Sequence, residues 1–131
     1  MRVAVDTNRY VDFARGDEDA RATLELAEQV LVPVVVIGEL RAGFALGTKG
    51  KANESGLVKF LAAPGVEVVA ITEATTHHYG RLFRQLREQG TPIPANDLWI
   101  AALVMEHDAQ LYTRDKHFSS LPQLSLVSQT S

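Results

Sequence analysis

Cysteine is absent from the chain, which removes disulfides, thiol nucleophiles and every zinc or iron–sulfur site built on thiolates. Long hydrophobic runs are absent too. The longest apolar stretches, residues 30–38 and 98–105, fall far short of the roughly 18–20 residues that a membrane helix needs. No leader peptide is read at the start, because the acidic Asp6 follows only three apolar residues. Excess positive charge is also missing. The 13 Lys+Arg against 16 Asp+Glu leave a net charge of −3, so no global field attracts a polyanion. Contact with nucleic acid would have to use local basic patches or a bound metal. Repeats, low-complexity tracts and linkers are likewise lacking. What remains is 131 residues, 46% hydrophobic and 22% charged, values that exclude disorder, collagen and coiled coil. One compact domain over residues 1–131, soluble and cytoplasmic, is the expectation.

Apolar patterning alternates strands with helices. Residues 2–5 form a β-branched run that ends at Asp6 and reads as a buried strand. A short helix is expected over 7–15 and a clearer one over 17–29. The valine-rich stretch 30–37 favours a strand, but Pro33 removes a ladder donor and suits a first helical turn. A strand to about residue 32 followed by a helix to about 46 satisfies both signals. Residues 47–53 read as a flexible basic loop, and 54–63 as an amphipathic helix with Leu57, Val58 and Leu61 inward. A strand over 66–71 precedes a long helix capped by Thr72 and stopped by Gly90. Residues 95–107 form a helix apolar almost all round after Asp97, and hence buried. Two closing strands, 110–113 and 124–127, flank a short helical turn. The pattern predicts an α/β fold with a central, mostly parallel sheet covered on both faces.

Ligands of open parallel sheets gather beyond the carboxyl ends of the strands. Asp6 ends the first strand, and Asp115 emerges on the same edge two residues past 111–113. Asp97 opens the buried helix, where the N-terminus favours its charged form. Glu39 lies inside an apolar stretch, near the buried side of its helix. Singly, each has an ordinary reading as turn, cap, surface or ion-pair residue. Together they would repel and raise one another's pKa values. A hard divalent cation removes that penalty, and an oxygen-rich set suits Mg²⁺ or Mn²⁺. Such an ion acidifies water and clamps a phosphate for in-line attack. Thr7, Asn8, Asn96 and Thr113 supply small polar neighbours.

The segments VAVDTN (3–8), IGEL (37–40), PANDLWIAA (94–102) and LYTRDKHF (111–118) resemble the PIN-domain signature. Their order and spacing are similar to those of the VapC toxins of bacterial and archaeal toxin–antitoxin pairs. The resemblance implies a PIN-like three-layer α/β/α fold and a Mg²⁺/Mn²⁺-dependent endoribonuclease. Asp6, Glu39, Asp97 and Asp115 match the family's catalytic and metal-binding acids, and Thr113, Asn8 and Asn96 its polar positions. Implied partners are a VapB-type antitoxin, an RNA substrate, operator DNA through the antitoxin complex alone, and a second copy of the chain. A phosphatase of the haloacid dehalogenase type would need an aspartate where Asn8 stands. A receiver domain would need an acidic pair before the end of its first strand and a late lysine after a strand, and only Lys116 suggests either. A catalytically idle binding module is the remaining alternative, and none of the four acids is lost.

Other motifs read mainly as structure. His77 and His78 are assigned to surface or packing, His117 to packing beside Phe118, and Trp99 to the core. Arg84 pairs with Glu88 at i+4, so the face of Arg81, Arg84 and Arg87 is solvated. Arg114 and Lys116, with Lys49 and Lys51, are the candidates for RNA contact. Tyr10, Phe13, Phe44 and Leu46 are read as exposed, some of them lining an apolar groove for a partner helix.

Overall fold

The computed structural model describes residues 1–128. The last three residues of the serine-bearing tail, to which no catalysis is assigned, lie outside the described residues. Four strands form one sheet in the order β3-β2-β1-β4. They are β1 (Arg2–Val5), β2 (Gln29–Pro33), β3 (Val66–Val69) and β4 (Gln110–Tyr112), and every pairing is parallel. Val3 sits between Val30 of β2 and Gln110 of β4. With neighbours on both sides, β1 reads as a continuous buried run, and Val3, Ala4 and Val5 are all buried.

Six helices connect these strands: α1 (Thr7–Ala14), α2 (Glu18–Leu26), α3 (Val34–Leu46), α4 (Gly50–Leu61), α5 (Glu73–Gln89) and α6 (Ala95–Glu106). With strand order β3-β2-β1-β4, the right-handed rule for parallel crossovers puts α1–α4 on one face and α5–α6 on the other, giving three layers. Helix α6 carries the thickest part of the core, with Ile100, Ala101 and Ala102 fully buried. Helix α3 touches both α1 and α6, so it joins the two helical layers at the carboxyl edge of the sheet.

Local chemistry explains most boundaries. Pro33 ends β2 and caps α3, where a missing amide hydrogen costs least. Thr72 and Thr75 form a capping box, and Gly90 closes α5 with φ 73°, a left-handed conformation suited to glycine. Some expectations give way to tertiary contacts. Helix α2 stops at Leu26 because Gln29 is drawn into the sheet opposite Arg2. Helix α4 begins at Gly50, so the stretch 47–53 is loop only in part; the Arg41–Glu54 ion pair at 2.9 Å ties its early turns to α3. Val58 faces out, 51% exposed, while Leu57 is buried. The segment 124–127 makes a single parallel bridge, Leu126 with Leu111, and no strand. Trp99 is half-buried and stacks on Tyr79 at 4.0 Å between ring centroids, so it borders the core without being part of it.

Candidate metal centre

Strand order changes direction between β1 and β4, and a parallel sheet opens its binding crevice at such a point. The four acids arrive there by different local routes. Asp6 leaves β1 with its amide still donating to Tyr112 O (3.0 Å), then caps α1 by accepting from Thr7 N at 2.8 Å. Its second oxygen accepts from Thr113 Oγ1 at 2.6 Å and from Asn8 Nδ2 at 3.4 Å. Glu39 projects from the middle of α3 between buried Ile37 and Leu40. Its oxygens accept from Thr7 Oγ1 (2.7 Å) and Asn96 Nδ2 (3.5 Å). Asp97 lies in the first turn of α6, whose cap residue, Pro94, offers no side-chain acceptor. Asp115 follows β4 and caps the 3₁₀ turn Lys116–Ser120, accepting from His117 N at 2.9 Å.

The neutral neighbours bind these pieces to one another. Thr113 Oγ1 donates to Asp6 and accepts from Asp115 N at 2.9 Å, linking the two strand ends. Asn8 Oδ1 accepts from Arg114 N at 3.1 Å, holding the loop after β4 against α1. All four polar residues singled out in the sequence therefore touch the acid cluster or its loops.

Burial and like charge act together in the centre. Burial pushes the Asp6 carboxyl above its ordinary value, against hydrogen bonds from Thr113 and Thr7, and the Asp97 and Glu39 carboxylates add to the rise. Burial also raises Asp97; the His117 hydrogen bond opposes it, while Asp115 and Glu39 reinforce it. Among the described residues no lysine or arginine pairs with any of the four acids. Arg114 is committed elsewhere, donating through Nε (2.8 Å) and Nη2 (2.9 Å) to Asp12. Asp12 lies below its ordinary value chiefly because of that guanidinium, and it also accepts from the buried Arg9 at 3.2 Å. Lys116 is exposed beside a cleft of about 480 Å³ that reaches Thr113 and Asp115. Lys49 and Lys51 are exposed at the start of α4.

One residue of the centre was misread in the sequence. His117 does not pack beside Phe118: Phe118 is fully buried, and the histidine turns out to meet the acids. Its Nδ1 lies 2.8 Å from Asp97 Oδ2 and 3.1 Å from Asp115 Oδ1. The available signal was its place two residues after a capping aspartate, where the turn folds the ring back over its own cap. Asp12 was not singled out either; a lone acid on a short helix gives no sign of a partner about one hundred residues away.

Oxygen donors without a fixed cationic partner fit a hard divalent ion, which would replace mutual repulsion with coordination. Asp97, Asp115 and His117 each offer a donor atom within 4.8 Å of the others. Asp6 lies close enough to Asp97 to feel its charge. Against known proteins, the PIN domain family model matches residues 3–124. The chain belongs to the PIN domain family. This PIN domain is 29% identical over 128 residues to ribonuclease VapC4 of Mycobacterium tuberculosis, covering 96% of this chain and 95% of that protein. It is 32% identical over 98 residues to ribonuclease VapC2 of Rickettsia felis, covering 74% of this chain and 72% of that one. Those matches set it among the VapC ribonucleases. It superposes with a TM-score of 0.87 on a chain of VapBC2 from Rickettsia felis bound to a promoter DNA fragment, at 28% identity and 97% and 98% coverage.

The raised carboxyls fix a sign. The native state holds protons at Asp6 and Asp97 more tightly than an unfolded chain does, so their contribution to stability falls as pH rises from the ordinary 3.8 through the raised values. His117 is raised mainly by its hydrogen bond to Asp97; its contribution is full below the ordinary 6.5 and is lost as pH rises through the folded value. Metal-free protein is therefore expected to melt higher at pH 5 than at pH 8. At pH 8 the metal-free Asp97→Asn variant should equal or exceed the parent in stability, by up to about 1 kcal/mol, a typical gain from relieving a strained functional site. A destabilised variant in chelator-treated thermal melts would mark Asp97 as a cap or ion-pair residue.

Proposed function

We propose that this PIN domain, read as one domain spanning the chain, is the toxin of a type II toxin–antitoxin pair: a metal-dependent endoribonuclease of the cytoplasm. What supports the reading is the crevice between β1 and β4, toward which Asp6, Glu39, Asp97 and Asp115 converge with no lysine or arginine partner among the described residues. Membership of the VapC ribonucleases supplies the substrate class, and Mg²⁺ or Mn²⁺ fits the donor set. When bound, the ion supplies Lewis-acid polarisation of a phosphodiester and an acidified water.

The chain's own groups do the holding. Asp6, fixed by three donors, is the rigid anchor of the centre. Glu39 is oriented by Thr7 and Asn96, and Asp97 and Asp115 complete the acid wall. The reaction is hydrolysis: a water oxygen bonds to phosphorus and the 3′ oxygen departs, leaving a 5′-phosphate and a 3′-hydroxyl. Because the 2′-hydroxyl is not the nucleophile, preference for RNA rests on groove shape and 2′-hydroxyl contacts. Lys116, on its open cleft, is the better placed of the two basic candidates for RNA contact. Arg114 has to share its guanidinium with Asp12.

The inhibitory partner is a VapB-type antitoxin. A groove of about 450 Å³ between α1, α3 and α4 is lined by Tyr10, Val11, Leu40, Gly43, Phe44 and Gly56 and runs to Thr7 and Glu39. A partner helix lying there would bring a basic side chain to the acids. The groove differs in detail from the one read in the sequence. Tyr10 is buried in its floor, Phe13 lines a separate cleft, and Leu46 stands outside it, 91% exposed. Operator DNA is reached through the antitoxin, in keeping with the net charge of −3 on this chain. A second copy of the chain is the other partner, and Phe83, 49% exposed on α5, offers it an apolar contact.

Two outcomes are expected. Purified protein should cut RNA with Mg²⁺ or Mn²⁺, stop in EDTA, and lose at least about a hundredfold in rate on Asp6→Asn or Asp97→Asn, in line with the several kcal/mol that metal catalysis supplies. End-mapping should find 5′-phosphates. Undiminished cutting in EDTA would overturn the metal reading. Phe44→Glu should weaken antitoxin binding by at least about tenfold in calorimetry, the loss expected at a buried apolar anchor. Unchanged affinity with native circular dichroism would place the partner elsewhere.

A further inference from the structure

The mechanism above leaves His117 without a role, although it stands closer to Asp97 than any other charged or polar side chain does. We propose that His117 is a ligand of the divalent ion, its Nδ1 completing an oxygen–oxygen–nitrogen face with Asp97 and Asp115, and that this nitrogen tilts the centre toward Mn²⁺ over Mg²⁺. The inference rests on the metal reading of the site.

Backbone geometry delivers the ring there. Asp115 caps the 3₁₀ turn by accepting from His117 N, which folds the histidine over its own cap. Phe118, the next residue, is fully buried and anchors the turn from below. The imidazole is thereby held on the outer side, half exposed, above a half-buried Asp97. Two of the three donor–donor distances are compatible with a shared ion. Cis ligands on an octahedral ion with bonds of about 2.1 Å lie about 3.0 Å apart. Nδ1 stands 2.8 Å from Asp97 Oδ2 and 3.1 Å from Asp115 Oδ1. All three donor atoms fall within 4.8 Å of one another.

Ligand chemistry gives the consequence. Mg²⁺ favours oxygen and gives up water reluctantly; Mn²⁺ also suits oxygen but, as a transition ion, accepts an imidazole nitrogen more readily than Mg²⁺ does. An all-oxygen acid set discriminates little between the two; one nitrogen favours Mn²⁺. The ring also sits at the mouth of the centre, more exposed than Asp97 or Asp6.

The test is Mn²⁺ binding to the full chain without RNA. The electron spin echo of bound Mn²⁺ should carry nitrogen modulation in the wild type and lose it in His117→Ala. The same variant should bind Mn²⁺ about tenfold more weakly, at the lower end of what disturbing a metal's ligand shell costs, while Mg²⁺ affinity moves much less. His117→Gln, which keeps a polar side chain, should behave like His117→Ala. Bound Mn²⁺ without nitrogen modulation in the wild type, or equal or tighter Mn²⁺ binding by His117→Ala, overturns the proposal and makes the imidazole a competitor of the ion. Failure of the wild type to bind Mn²⁺ at all, with Asp6→Asn behaving identically, overturns the metal reading beneath it as well.

Discussion

Repulsion among carboxylates at one edge of a parallel sheet is the constraint on which the rest of this structure depends. Parallel pairing places the carboxyl ends of β1, β2 and β4 on the same side, and each delivers an acid or the helix that carries one. Asp97 arrives from the opposite layer at the start of α6. Among the described residues no lysine or arginine is built between them. Thr7, Asn8, Asn96 and Thr113 orient the oxygens through neutral hydrogen bonds, which fix geometry without cancelling charge. That arrangement disfavours the state in which all four acids are ionised.

The cost persists because the positive charge nearby is tied up. Arg114 follows the acid-bearing strand directly, yet a bidentate bond to Asp12 turns it from Asp6 and Asp115. Arg9 is buried against the Tyr112 ring, its guanidinium carbon 4.6 Å from the centroid, and pairs with the same aspartate. Asp12 thus serves as the anion for two guanidiniums, which leaves the four acids without an arginine partner among the described residues. The apolar sheet and α6 behind them supply the burial that any such strained edge must draw on.

Much of this was legible in the sequence, for identifiable reasons. A β-branched run ending in aspartate defines β1 and Asp6 together, because burial on both sheet faces demands the run and the chain's exit from the sheet demands a cap. Pro33 marks the passage from β2 to α3, and Thr72 and Gly90 mark the limits of α5. The acids and their neutral partners stood out because they interrupt apolar segments. The errors fell where long-range contacts decide. The Arg41–Glu54 pair and the packing of Leu57 belong to a helix α4 that begins four residues before the expected start. His117 was misassigned because Phe118 beside it signals packing, while the reversal of direction between adjacent residues of a 3₁₀ turn leaves no compositional trace. Tyr10 was read as exposed, yet Phe60, distant in sequence, covers it at 5.0 Å between ring centroids.

The central claim is that the converged acids form one ion-binding centre whose occupancy relieves their repulsion. Thermal unfolding with increasing free Mn²⁺, for the wild type and for Asp6→Asn, tests it most directly. An ion that binds the native state alone stabilises it by about 2.7 kcal/mol when its free concentration is about one hundred times its Kd, a rise of several degrees for a domain of this size. The account predicts that rise for the wild type and a much smaller one for Asp6→Asn. A wild-type melting temperature indifferent to Mn²⁺ and Mg²⁺ through the millimolar range would contradict it.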